Sequence, residues 1–394
     1  MTSGEKNLAS WGLADIFAML RWTIRRWTLK HIWRRINQPF RRRRQRRNNL
    51  LATLPFAKDP SARPTAGPAV VFGEFAGLHG LGRAAAYDLK LVRVRHSAVT
   101  SVDIGPYVRG RPVEPFALGG PFDNAYFLCQ PDNYALICRL LSPHALAHAY
   151  RVGRWVWETP LFPNDWRFAE RMVHEVWTPS EFSAQAFRGA LDVTVRVVPH
   201  AATTPPESGL DIRAGLGAPA SAFMGLAIMD IISCPERKNP WAHVRAWKRA
   251  FGDDPDKILV MKLRVGKRTR IVLDELSELI GGAKNVRILT EDFSNEEIAA
   301  LHRAADVYVS LHRSEGFGLN IYESLLLGKP VVATDWSANA EYGPSFATYL
   351  PVEYKLERYN DWMGHYADGN FCWASADVDD AARLLRGVAR RHVT

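Results

Sequence analysis

Short apolar runs recur along this chain at 69–74, 175–178, 193–198, 224–230, 258–261, 286–289, 306–311 and 330–334. Between several of them the apolar residues fall three or four apart, as Trp241, Val244, Trp247 and Phe251 do. A run apolar on both faces predicts a buried parallel strand, and the 3.6-residue spacing predicts the helix that crosses to the next one. From 224 onward the alternation is regular. Helices are expected at 240–251 and 270–280, and Ser294 with Glu297 forms a capping box that opens another. Repeated β-α units of this length build a doubly wound parallel sheet with helices on both faces. Upstream the pattern is less even: strands are expected at 91–96 and 125–129, and a helix over 132–150. The Pro-rich stretch 202–209 marks a boundary, dividing the α/β body into domains at 66–203 and 210–375.

In such sheets ligands bind beyond the C-terminal ends of the strands. The stretch 310–323 is therefore the centre of the reading. A polar loop with Gly316 and Gly318 leaves the strand at 306–311, and a helix follows that ends at Gly328, a residue suited to a left-handed cap. Glu315 sits on the loop and Glu323 inside the helix, so the two carboxylates face different parts of one ligand. The open amides of the helix start, around Gly316, Phe317, Gly318 and Leu319, form an anion site. A phosphorylated, hydroxyl-rich ligand fits this set. Arg237 and Lys238, on the loop 231–239 of the same sheet, can cancel pyrophosphate charge; the alternative is a solvated basic turn. After the first strand, Gly77, Gly80 and Gly82 would let a ligand approach backbone, although such a cluster taken alone is more often just a tight turn. At 155–166, Trp155, Trp157 and Trp166 are individually better read as core than as a sugar platform. Glu158 is different, because a carboxylate in so apolar a run needs a partner.

Charge changes the picture at one end only. Of the total of +10, residues 1–58 hold fourteen Lys or Arg against Glu5 and Asp15, a net of +12, so the remainder sums to −2. Leu13, Ile16, Leu20, Ile24 and Trp27 recur at helical spacing among arginines, Pro39 is expected to break the pattern, and a polybasic run 41–47 follows. Indoles settle at the headgroup level and each nearby cation gains about 1 kcal/mol on an anionic surface, so residues 11–49 are read as an anchor on an anionic membrane. A solvated tail ranks second and nucleic acid a distant third. An organellar transit peptide gets little weight. Cys129, Cys138, Cys234 and Cys372 have no metal-ligand spacing and are expected to be buried free thiols in a reducing cytosol. No apolar run is long enough to span a bilayer.

Together the SEGFGL stretch (314–319) with Glu315 and Glu323 eight apart, RKNP (237–240), WVWE (155–158) and VPH (198–200) resemble the retaining glycosyltransferases of the GT-B fold, family 4. The likeness runs over most of 68–390 and is nearest to a bacterial subset that builds surface polysaccharide. It implies two Rossmann-like domains facing across a cleft, with a helix at 376–394 that crosses back to the first domain. It further implies that Glu323 binds the nucleotide ribose, Glu315 contacts the donor hexose, and Lys238, seconded by Arg237, holds the donor pyrophosphate. Gly80 and Gly82 would close over the donor from the first domain. Relatives place a histidine where this chain has WVWE, which makes Glu158 the substitute. They also have two glycines where this chain has Ser337-Ala-Asn-Ala340, and an arginine where Ile232 and Ser233 lie.

The implied reaction moves a hexose from GDP-mannose, or second from a UDP-hexose, to a glycan or lipid-linked acceptor at the cytoplasmic membrane face. It retains configuration, and no metal or other cofactor is expected because Lys and Arg carry the leaving-group charge. Alternatives are a GT-B phosphorylase or epimerase, and a silent sugar-binding scaffold.

Overall fold

In the computed structural model the described residues are 29–112, 121–361, 364–366 and 369–392. Trp11, Phe17, Trp22 and Trp27 of the basic aromatic segment lie outside them. The first sheet comprises β1 (Ala69–Gly73), β2 (Val99–Asp103), β3 (Asn124–Leu128), β4 (Tyr150–Arg154), β5 (Glu175–Thr178) and β6 (Thr194–Val197), in the order β2-β1-β3-β4-β5-β6. The second comprises β7 (Phe223–Asp230), β8 (Lys257–Arg264), β9 (Val286–Leu289), β10 (Val307–Ser310), β11 (Val331–Thr334) and β12 (Tyr349–Val352), in the order β12-β11-β10-β7-β8-β9. All pairings within both are parallel. A short antiparallel pair, β13 (Tyr354–Arg358) with β14 (Cys372–Ala376), stands apart.

The strands are apolar on both faces because each sheet separates two cores. Along β8, Leu259, Met261 and Leu263 enter one core while Ile258 and Val260 enter the other. In β1, Val70 and Phe72 alternate in the same way with Ala69 and Val71. Helices cover both faces of each sheet. The connection order reverses between β1 and β3 in the first sheet and between β7 and β10 in the second. Reversal points open the crevice in which doubly wound sheets hold ligands. The segments leaving β1, β7 and β10 are the glycine loop, the Arg237-Lys238 loop and the Glu315 loop.

Four expectations change. Residues 91–93 end the helix Gly80–Arg93, whose Leu89 and Val92 are buried, and Val94 beyond it is exposed. The apolar-polar alternation there is the last turn of an amphipathic helix, and the strand comes later, at β2. The stretch 132–150 is not one helix. Pro131 and Pro143 each begin a 3₁₀ turn, leaving only Tyr134–Leu140 helical before β4 starts at Tyr150. Pro39 does not end its helix, which runs Leu29–Thr53 and lies on Tyr134–Leu140 and Asn164–Met172 of the first domain; this packing offsets the backbone hydrogen bond that proline removes. The closing helix Val378–His392 buries Ala381, Leu385 and Val388 in the core with Val244 and Trp247, so its described residues pack on the second domain instead of crossing back.

Candidate functional site

Backbone conformation fixes the second-domain half of the site. Asn239 adopts a left-handed φ of 51°, and its Nδ2 donates to Leu311 O at 2.9 Å. This ties the turn Pro235–Lys238 to the loop leaving β10. Arg237 and Lys238 are thereby aimed at Glu315. Lys238 Nζ pairs with one Glu315 oxygen, and Arg237 lies 3.2 Å from the other. Arg237 also donates to Ser314 O at 2.9 Å and stands 3.5 Å from Glu158. Glu158 has its partner. Burial alone would raise the Glu315 pKa, but Lys238 and Arg237 overcome it and hold the carboxyl at about 2. Glu315 N–H donates to Ser337 Oγ at 2.9 Å, and Ser337 takes a φ of 69° that favours glycine. Ser337 thus holds a turn conformation that favours glycine and adds a hydrogen bond to the site.

Two glycines of the loop are required for different reasons. Gly318 has a φ of 80° at the start of the helix Leu319–Leu326. A Cβ on Gly316 would lie 2.6 Å from Val156 Cγ1 and 2.8 Å from Trp157 O, both in the first domain. The domains meet there, and Ser180 Oγ donates to Gly316 O at 2.8 Å. Gly80 and Gly82 divide similarly. A Cβ on Gly82 would strike Gly77 O at 2.5 Å, so Gly82 packs the glycine loop on itself. The corresponding space at Gly80 is open, and Gly80 lines the cleft with Glu158, Lys238, Glu315, Phe317 and Leu319. The cleft encloses about 180 Å³.

Glu323 is placed otherwise than the sequence implied. It is fully buried beneath a first-domain helix instead of facing the cleft. Arg83 pairs with its Oε2 and Tyr87 Oη donates to Oε1 at 3.0 Å. Burial raises its pKa, and Arg83 only partly offsets that. Arg83 also donates to Asn320 Oδ1 at 3.1 Å. Neither Arg83 nor Tyr87 had been singled out. The usable signal was a cation directly after the glycine loop.

His200, which closes the VPH stretch and was given no role of its own, lines the cleft edge-on to Phe317 with ring centroids 5.0 Å apart. Its Nδ1 lies 2.7 Å from Asp88, which Arg154 also engages at 2.7 Å. Burial lowers the His200 pKa against the opposing pull of Asp88, favouring a neutral ring whose Nδ1–H donates to the carboxylate.

Residues 242–347 match the family model described as Glycosyl transferases group 1. The chain is a glycosyltransferase. The matched span holds Glu315 and Glu323 and begins just after Arg237 and Lys238. The transferase is also similar in fold to HepE of Anabaena, solved in complex with UDP and glucose, at 18% identity and TM-score 0.57 over 82% of this chain and 89% of that one. A glycosyltransferase of Rickettsia africae aligns at 13% identity and TM-score 0.56, over 83% and 89%. The UDP-forming trehalose-phosphate synthase of Burkholderia xenovorans aligns at 12% and 0.54, over 84% and 93%. A sequence search among curated proteins finds no match.

The structure of the transferase thus gathers Glu158, Lys238 and Glu315, all half-buried, around the buried Arg237 and sets Glu323 apart under Arg83. Trp155 and Trp166 are core, while Trp157 stands at the domain boundary, 5.4 Å from the Tyr366 ring. All four cysteines are free thiols, but Cys372 is exposed instead of buried and Cys129 is half-buried. Among the described residues, Cys234, Asp361 and His365 bring potential metal-ligand atoms within 4.8 Å of one another. The Asp361 carboxylate already accepts from Tyr359 Oη at 2.8 Å and lies 3.1 Å from His365 Nδ1, while His365 Nε2 meets Ile232 O at 3.2 Å. These contacts tie Asp361 and His365 to the loop after β7.

Proposed function

We propose that this glycosyltransferase moves a hexose from a nucleotide sugar to a glycan or lipid-linked acceptor, with retention of configuration and without a metal ion. The observation that carries the reading is the convergence of Lys238 and Arg237 on Glu315 at the mouth of a glycine-started helix. Breaking a glycosyl–phosphate bond puts positive charge on the sugar carbon and negative charge on the leaving diphosphate. Lys238, Arg237 and the loop amides are preorganised for the diphosphate, so their stabilisation grows as the bond breaks. Glu315, held ionised, accepts hexose hydroxyls, and Glu158 borders the same space from the first domain. Ribose hydroxyls take Glu323 by displacing Arg83 and Tyr87. The UDP found with HepE favours a uridine donor as the first to test, with GDP-mannose beside it.

We further propose that the protein works on an anionic membrane surface at the cytoplasmic face, through the helix Leu29–Thr53. Phe40, Arg44, Arg47 and Leu51 fall on one face of that helix and are exposed. The opposite face is tied down, with Arg46 on Asp165 and Asn49 and Thr53 buried. No described helix is long and apolar enough to cross a membrane.

Thermal shift and hydrolysis against a panel of nucleotide sugars test the main reading. At least one donor should raise the melting temperature and release its nucleotide, and Glu323→Ala should abolish the shift. A panel in which no nucleotide sugar binds would overturn it.

A further inference from the structure

A second cavity, of about 710 Å³, lies between the N-terminal helix and the segment after β13. Its size is that of a ligand site. Four guanidinium groups line it: Arg42, Arg43 and Arg46 from the helix, and Arg358 from the end of β13. The two sides are joined, since Gln38 Nε2 donates to Gly364 O at 2.5 Å and Arg42 to the same oxygen at 2.7 Å. Arg42 and Arg46 are partly neutralised by Asp165. Arg43 and Arg358 have no side-chain ion pair or hydrogen bond among the described residues, and both are exposed. Asp361, the one acid of the described lining, is turned to His365 and Tyr359. Arg43 and Arg358 therefore offer forked donors that no described acid engages, beside the two that Asp165 partly neutralises. That donor geometry matches phosphate oxygens in particular.

Its position relates it to the cleft. Tyr366 forms part of the wall, and its ring packs on Trp157, the neighbour of Glu158, which stands 3.5 Å from Arg237. One aromatic layer separates the basic cavity from the cations assigned to the donor diphosphate. We propose that this cavity binds the phosphate or diphosphate of the acceptor, holding a phosphate-bearing lipid-linked glycan so that its sugar end reaches the cleft past Tyr366. The proposal rests on the reading of the protein as a transferase with a lipid-linked acceptor.

The test uses the full chain, Lys238→Ala, and the double variant Arg43→Ala with Arg358→Ala, titrated calorimetrically with inorganic pyrophosphate, geranyl diphosphate and UDP. The double variant should bind geranyl diphosphate at least tenfold more weakly than the parent, while Lys238→Ala retains that binding and loses affinity for UDP. The melting temperature of each variant controls for folding. Geranyl diphosphate binding that is equal in the parent and the double variant, or lost only in Lys238→Ala, would overturn the assignment. So would a cavity that takes pyrophosphate and refuses geranyl diphosphate, since free phosphate is then its ligand. If no nucleotide sugar binds while the arginine-dependent binding persists, the donor reading fails and the cavity stands.

Discussion

Glu315 stays ionised in the cleft because the charges of Lys238 and Arg237 outweigh the solvation it has lost. Its pKa of about 2 lies below the ordinary 4.5, so the sign of the linkage is fixed. The stability this carboxylate contributes is whole above pH 4.5 and is lost as pH falls from there through about 2. The melting-temperature difference between the parent and Glu315→Gln should therefore be constant above pH 4.5 and shrink as pH falls from there toward about 2. An unchanged difference would mean that the ion pairs do not form in solution. Lys238→Ala should cost about 10²-fold in kcat, the scale of removing one preorganised donor from a developing charge. At Glu323 the linkage runs the other way. Its raised pKa means that the ionised form costs stability, and this cost appears as pH rises through the folded value. Tyr87 holds one of the Glu323 oxygens that the proposed ribose contact would use. Tyr87→Phe removes a competing hydrogen bond of about 1 kcal/mol and should tighten nucleotide binding about fivefold by calorimetry. The convergence of Glu315, Arg237 and Lys238 was legible because each sits next to a strand end or helix start that the apolar pattern locates, whereas the burial of Glu323 inside its helix was not. Arg83 and Tyr87 were not, because their contact with Glu323 spans some 240 residues of chain and exists only once the domains dock.

Elements were legible where a helix or strand was bounded by its own signals. The capping box at Ser294 and Glu297 is formed as written, and the helix Arg270–Ile280 has the expected limits. Prolines misled in both directions: Pro143 broke a helix that the apolar spacing favoured, while Pro39 was absorbed by one. Glycines give the sharper test at this scale, because their roles differ by environment and not by motif. Gly316→Ala drives a Cβ into Val156 and the Trp157 carbonyl, and the latter is backbone that cannot swing away. It should destabilise the protein by about 1–3 kcal/mol and lower kcat by shifting the Glu315 loop. Gly80→Ala meets nothing within 4 Å. It should leave the melting temperature unchanged and raise the KM of the donor, since only a ligand occupies that space. Equal effects of the two substitutions on the melting temperature would show that the loop is not clamped between the domains.

At the scale of the whole molecule, the apolar pattern revealed two parallel sheets but not how they meet, because docking depends on a few contacts such as Ser180 with Gly316. The same docking surface continues into the N-terminal helix, which reaches the second domain through Gln38 and Arg42 at Gly364. A helix joined to both domains in this way fixes the cleft relative to whatever the helix lies on. If that is an anionic bilayer, Phe40 inserts at the headgroup level while Arg44 and Arg47 neutralise lipid charge, each by about 1 kcal/mol. Replacing Arg44 and Arg47 with alanine removes about 2 kcal/mol, or roughly 30-fold in partitioning. Sedimentation with phosphatidylglycerol-containing vesicles should fall accordingly, and raised salt should mimic the loss in the parent protein. Vesicles of phosphatidylcholine alone should bind both proteins equally weakly. Sedimentation of the double variant at the parent level would remove this helix face from the interface and leave the basic segment with no membrane role at these positions.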